Sequence, residues 1–158
     1  MHRLVRLINK LEDGFLVSLL TVMVTLAVVQ IVYRNLFDAG LSWADPLLRV
    51  LVLWVALAGA VIATRTDNHI RIDYFTRYFS PQFCEWMQRL VYLFCIIVCS
   101  IISWHSTRFV YSEYEYQTIA FAGVPAWVTA LIIPIGFGLM AIRYLALLIH
   151  PPRPEPTL

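Results

Sequence analysis

Few residues in this chain are of types that do chemistry, and their spacing suits none of the common sites. The four histidines are far apart, and only His105 falls near an apolar segment. Haem ligation inside a helical bundle needs two histidines at membrane depth on facing helices, and the sequence offers no such pair. It also contains no glycine-rich phosphate loop and no nucleophile elbow. We therefore expect a protein that is not an enzyme and that binds no cofactor.

The three cysteines, Cys84, Cys95 and Cys99, form no C-x-x-C pair. Cys95 and Cys99 lie one helical turn apart in an apolar segment, where two thiolates could bind a metal ion. Packing of two small apolar side chains between helices is the simpler interpretation of the same spacing. We therefore expect no metal site.

Four apolar segments make up more than half of the chain, at about 15–33, 47–63, 90–110 and 124–149. A helix rises about 1.5 Å per residue, so about 20 apolar residues cross the hydrocarbon core of a bilayer. The 158 residues are 60% hydrophobic and 14% charged, well below the charged fraction of a soluble domain. The sequence predicts an all-α integral membrane protein with four transmembrane helices in a single domain, residues 1–158. The proline-rich residues 150–158 are expected to form a loose tail.

Basic residues are concentrated before the first segment, between the second and third, and at the end of the fourth. They are Arg3, Arg6 and Lys10, then Arg65, Arg71, Arg77 and Arg89, then Arg143 and Arg153. The positive-inside rule therefore predicts that both termini and the middle loop are cytoplasmic. The formal net charge of +2 is too small to indicate a nucleic-acid partner.

The middle loop mixes arginines with aromatic residues over positions 70–79. Basic and aromatic side chains together are typical of a segment that lies in the membrane surface. We therefore predict a short interfacial amphipathic helix between spans two and three. After it, Ser80 and Pro81 have the residue types of a helix cap and first helical position, so they predict the start of a third helix running to about residue 110.

The second span has a clear start, with Asp45 as the predicted N-cap and Pro46 as the first helical residue. Trp43 is expected at headgroup level. Four small residues then recur at spacings that place them on one face, where another helix could approach closely: Ala56, Gly59, Ala60 and Ala63. In the fourth span, Pro134 predicts a kink.

Arg49 lies inside the second span, one turn from its start. Three interpretations remain open. The side chain can extend towards the interface and pair with Asp45 at i−4, it can contact a partner protein, or it can bind an anionic substrate.

The order of residues around the second span resembles a known family. Trp43-Ala-Asp-Pro-Leu-Leu-Arg49, Leu53-Trp54, Gly59-Ala60, Arg65 and His69-Ile-Arg-Ile-Asp73 are similar to the small membrane subunit of tripartite ATP-independent periplasmic (TRAP) transporters, the DctQ-like subunit. Gly123-Val-Pro-Ala-Trp127 and Ile133-Pro-Ile-Gly136 follow the same style. One departure is Pro46, which stands where the family has a second acid.

The resemblance implies a bacterial inner-membrane protein that works with two partners, a larger multi-span permease subunit and a periplasmic substrate-binding protein. The permease would carry an organic acid driven by sodium, while the small subunit steadies it and helps to dock the binding protein. The residues expected to bind partners are Trp43, Asp45, Arg49, Trp54, Ala56, Gly59, Ala60 and Ala63. Arg65, His69 and Asp73 are expected to shape the cytoplasmic turn.

Two other functions compete with that of an accessory subunit. A stand-alone oligomeric carrier or channel needs a polar pathway, for which the sequence offers only Gln30, Arg49 and His105. A membrane anchor for a redox enzyme is disfavoured by the positions of the histidines.

Overall fold

The computed structural model describes residues 2–37, 41–66 and 81–149. It contains five helices within these ranges: α1 His2–Phe37, α2 Ala44–Thr66, α3 Pro81–Glu115, α4 Ala126–Ala130 and α5 Ile132–Ile149. A two-stranded antiparallel hairpin, β1 Ile119–Phe121 and β2 Val124–Pro125, connects α3 to α4. The predicted interfacial helix at 70–79 and the predicted loose tail at 150–158 lie outside the described residues.

Four stretches of helix are long and apolar enough to cross a membrane, counted over the described ranges alone. They are Arg6–Phe37, Ala44–Thr64, Trp86–Glu115 and Ala126–Ile149. The four predicted spans are thus confirmed, although the first three helices extend beyond the apolar segments predicted for them. The fourth span consists of α4 and α5 together.

The helices pack mainly as a row in the order α1, α2, α5, α3, with neighbours in the row sharing the main helix–helix contacts. Because α2 and α5 occupy the middle of the row, the core lies around them. It consists of Leu57 and Val61 from α2, Cys99 from α3 and Met140 from α5. Cys99 therefore occupies a packing position, as the simpler interpretation of the cysteines predicts.

Helix α1 lies at one end of the row, and none of its described side chains is fully buried. The partly buried ones include Asn9, Glu12, Leu16, Leu19, Met23, Leu26 and Gln30. Their spacing alternates between three and four residues, which is the repeat of two helices that pack side by side at a shallow angle. This seam is apolar in its middle and polar at both ends.

Helix α2 starts at Ala44, two residues before Pro46, the first helical residue that the sequence predicted. The Ala44 N–H donates to the Leu41 carbonyl at 3.0 Å, and the Leu47 N–H donates to the Trp43 carbonyl at 3.3 Å. The turn from Leu41 thus satisfies the first helical N–H, and Asp45 is not the cap. Pro46 still falls in the first turn, where its missing N–H costs nothing.

Helix α3 begins at Pro81, as predicted, but continues to Glu115 rather than ending near residue 110. It ends where Gln117 adopts a left-handed conformation with φ of 52°. The sequence also gave no expectation of the hairpin that follows. Its turn residues, Ala122 and Gly123, both have positive φ (44° and 82°), as a two-residue hairpin turn requires. Alanine rarely adopts that conformation, so only Gly123 was a usable signal.

The predicted kink in the fourth span takes the form of a break between α4 and α5 at Leu131. Pro134 has no N–H to offer the Ala130 carbonyl, and its ring crowds that carbonyl. Helical hydrogen bonding resumes directly after the proline, where the Ile135 N–H donates to the Leu131 carbonyl at 3.4 Å. The Pro134 carbonyl in turn accepts a bond from the Ser103 hydroxyl at 3.1 Å, which ties the break to α3.

Candidate partner-binding surface

The start of α2 is tied to the end of α1 by a polar link. The Gln30 amide donates from Nε2 to Asp45 Oδ1 at 2.5 Å. Asp45 therefore serves an interhelical bond instead of a pair with Arg49. The Arg49 side chain is exposed, and within the described residues no hydrogen bond or ion pair is recorded for it. Of the interpretations of Arg49, local pairing with Asp45 is the one that the geometry does not support.

Two of the predicted partner-binding residues face this chain itself. The Trp54 indole N–H donates to the Thr129 carbonyl at 3.0 Å, joining α2 to α4. Ala60 packs against the core around Leu57 and Val61. Both side chains thus contribute to packing within this chain, and both are only partly buried.

The other small residues of the predicted partner-binding set do not pack against the described helices of this chain. Ala56 and Ala63 are exposed, and a methyl group added to Gly59 would meet no atom within 4 Å. With Arg49 they form a line at intervals of seven, three and four residues along one side of the helix. We call Arg49, Ala56, Gly59 and Ala63 the open stripe. Trp43 lies beside the start of α2 and is 40% exposed.

At the other end of these helices, α1, α2 and α5 are joined by an ion pair that sequence reasoning missed. Arg143 of α5 donates from Nη2 to Glu12 Oε1 of α1, and from Nη1 to the Val61 carbonyl of α2 at 2.5 Å. The Val61 carbonyl also accepts from the Thr64 hydroxyl at 2.7 Å. From the sequence, Arg143 was interpreted as an orientation signal, and no counter-charge was predicted for it. The usable sign was that Glu12 and Arg143 each lie beside or within an apolar segment, where a charge needs a partner.

Beside this ion pair, α1, α2 and α5 enclose a groove of about 270 Å³. Glu12 is one of its lining residues, and the others are apolar: Phe15, Leu57, Ala58, Val61, Ile62, Ile132, Ile135, Gly136 and Leu139. The groove thus has no row of polar groups that could bind a hydrophilic solute. Over the described ranges no three His, Cys, Asp or Glu residues come together as a metal site would need.

Most of the residues predicted to shape the cytoplasmic turn lie outside the described part of the chain. Arg65 falls in the last turn of α2, and its side chain is not among those described. His69 and Asp73 lie outside the described residues. Their role stays a prediction.

Comparison with known proteins decides the family. A model of the "Tripartite ATP-independent periplasmic transporters, DctQ component" matches residues 23–152, which is most of the chain. The chain belongs to the DctQ family. With four apolar helices, this membership identifies a multi-pass bacterial membrane protein and a transporter subunit.

Curated relatives support the same assignment. The C4-dicarboxylate TRAP transporter small permease protein DctQ of Pseudomonas aeruginosa is 23% identical, covering 95% of this chain and 86% of that protein. The ectoine TRAP transporter small permease protein TeaB of Halomonas elongata is 26% identical, covering 88% of this chain and 72% of TeaB. The sialic acid TRAP transporter permease protein SiaT of Haemophilus influenzae is 25% identical over 87% of this chain, which spans only 22% of SiaT. The DctQ-like part is therefore a small portion of that relative.

Proposed function

We propose that this DctQ-family chain is the accessory subunit of a TRAP importer in the bacterial inner membrane, with both termini in the cytoplasm. It braces a larger permease subunit, and that permease carries an organic acid driven by a sodium gradient. The observation that carries the proposal is the open stripe on α2. It combines an exposed arginine with three small residues on a helix that has already used its other sides to pack against α1 and α5.

The nature of the partner follows from the relatives. SiaT and the isethionate permease protein DctMQ each match this chain over only 22% of their length, so each has a long further part in the same polypeptide. A large permease that is a separate protein here would need a surface to replace that covalent connection. Small residues suit such a surface, because helices in lipid associate through close van der Waals packing and polar contacts.

A bracing role also fits the variety of solutes named for the relatives. Their names include C4-dicarboxylate, sialic acid, isethionate and ectoine, which differ in size and charge. A small subunit that lined the solute pathway would need a different polar lining for each. The apolar groove beside Glu12 has no such lining, which disfavours a stand-alone carrier or channel.

Docking of a periplasmic binding protein is the second part of the proposal. Trp43, Asp45 and Arg49 lie together at the end of α2 that the positive-inside rule places on the periplasmic side. Asp45 is held by Gln30, while Trp43 and Arg49 are exposed. An aromatic ring and a fixed positive charge beside the membrane surface suit contact with an acidic patch on a soluble protein.

Reconstitution tests both parts. Liposomes would contain this subunit alone, the permease alone, or both, and each would be assayed for sodium-driven uptake of an organic acid with and without the binding protein. We expect uptake only when both membrane subunits and the binding protein are present. Uptake by this subunit alone would refute the accessory role, and full uptake by the permease alone would show that bracing is not needed.

A further inference from the structure

Helix α1 is attached to the row by polar groups at both ends of its seam. Near one end, Gln30 bonds Asp45, and near the other, Glu12 pairs with Arg143. These two positions on α1 are 18 residues apart, which is about 27 Å along the axis at about 1.5 Å per residue. The hydrocarbon core is about 30 Å thick, so the two polar links lie near its two boundaries.

The apolar middle of the seam cannot fix α1 strongly by itself. In water, the hydrophobic effect would drive Leu16, Leu19 and Met23 against α2. In lipid it does not, because acyl chains are as apolar as these side chains. The described side chains of α1 are at most partly buried, so close packing also contributes little. The position of α1 therefore depends on its polar links.

The link at Arg143 is more extensive than the link at Gln30, because it joins three helices. One guanidinium bonds the Glu12 carboxylate of α1 and the Val61 carbonyl of α2 from its place on α5. The planar fork of an arginine presents donors in fixed directions, so it sets an orientation as well as a distance. The two side chains of the pair are only 23% and 22% exposed, which limits screening by solvent.

We propose that the ion pair between Glu12 and Arg143, anchored on the Val61 carbonyl, is the positioning device that holds this end of α1 against α2 and α5. Without it, α1 pivots about the Gln30 link and its Glu12 end moves away from the row. The proposal concerns the chain alone and holds whether or not the chain belongs to an importer.

Distance measurements on the full-length chain in nanodiscs test this inference. Spin labels at Leu7 and Ile149, both exposed, report the Glu12 end, while labels at Leu36 and Val52 report the Gln30 end. The native cysteines are first replaced by alanine or serine. In Glu12→Leu and Arg143→Leu we expect the Leu7–Ile149 distance distribution to broaden and shift to longer distances, while the Leu36–Val52 distribution stays unchanged.

Two further variants keep the result decisive. Glu12→Leu/Arg143→Leu leaves no stranded charge, so it folds where a single variant fails, and it should show the same broadening. Arg143→Lys keeps the charge but not the planar fork, so its distribution should lie between those of Arg143→Leu and the wild type. Wild-type width in the double variant would overturn the proposal. Broadening in Arg143→Leu but not in Glu12→Leu would also overturn it, because the Val61 carbonyl would then be the effective partner.

Discussion

The substitution Gly59→Leu separates contacts within the subunit from contacts to a partner. A Cβ at Gly59 would meet no described side chain of this chain and no other described helix within 4 Å, so we expect leucine there to leave the fold undisturbed. Replacing glycine by leucine also favours the helix, by up to about 1 kcal/mol. We therefore expect the isolated subunit to unfold at the wild-type temperature or slightly above it.

Assembly should respond in the opposite direction. If the open stripe packs against a helix of the permease, leucine at position 59 holds the two backbones apart. Overpacking of a close contact costs about 1–3 kcal/mol. That corresponds to a loss of affinity of about 5- to 150-fold, since about 1.4 kcal/mol is a factor of ten.

Gly136 provides the matched control on α5. A Cβ at Gly136 would lie 3.6 Å from the Cβ and 3.8 Å from the Cδ2 of Leu57, so the outer atoms of a leucine would overlap the core. Gly136→Leu should therefore destabilise the isolated subunit by about 1–3 kcal/mol.

The assay combines two measurements on purified protein. Thermal unfolding of the isolated subunit is followed by tryptophan fluorescence, and assembly is measured as the amount of permease that co-purifies with the tagged subunit. The reasoning predicts reduced co-purification with normal unfolding for Gly59→Leu, and early unfolding for Gly136→Leu. Wild-type co-purification of Gly59→Leu would show that the stripe faces lipid, and early unfolding of that variant would refute the described packing of α2.

Three further predictions follow from single contacts. Arg49→Ala should leave the yield and the unfolding temperature of the subunit unchanged, because the side chain is exposed, but it should lower uptake by the reconstituted complex. Arg49→Lys is the control. A reduced yield of the alanine variant would indicate a structural role. Trp54→Phe removes the 3.0 Å hydrogen bond to the Thr129 carbonyl, so the free energy of unfolding in detergent should fall by about 0.5–1.5 kcal/mol. Chemical unfolding measures this change, and an unchanged midpoint would contradict the bond. Pro134→Ala supplies the N–H that the Ala130 carbonyl lacks, so hydrogen exchange of the amides around Leu131 should become slower. Exchange at the same rate in the variant and the wild type would show that the proline does not cause the break.

The sequence was a good guide to the helices because length, apolar content and proline positions determine them. Pro81 gave the start of α3, and Pro134 gave the interruption of the last span. The ends of elements were less predictable. Asp45 has the residue type of a cap, yet its carboxylate bonds Gln30, and no single-sequence pattern distinguishes those two uses. The hairpin was missed because Ala122 gives no sign of its left-handed conformation.

Which side of α2 faces the chain's own helices could not be predicted, and the reason is physical. In water, apolar residues are drawn to the core and polar residues to the surface, so composition indicates orientation. In lipid both sides are apolar, and Leu57 in the core does not differ in kind from Val52 on the surface. Orientation then depends on residues with a special requirement: an indole N–H that needs an acceptor, a charge that needs a counter-charge, or a glycine that permits close approach.

The sequence shows these residues, but only the structure shows which of them contact the chain's own helices. Trp54 and Gly59 both belonged to the predicted partner surface, yet Trp54 bonds Thr129 and Gly59 faces open space. Gly136 was named in the sequence only as part of the family resemblance, yet it is the glycine that lies against Leu57. A small residue in a membrane helix indicates close approach without saying by which helix. The helices of this chain account for Ala60 and Gly136, so the small residues that remain unmatched, Gly59 with Ala56 and Ala63, are the ones to test for contact with another protein.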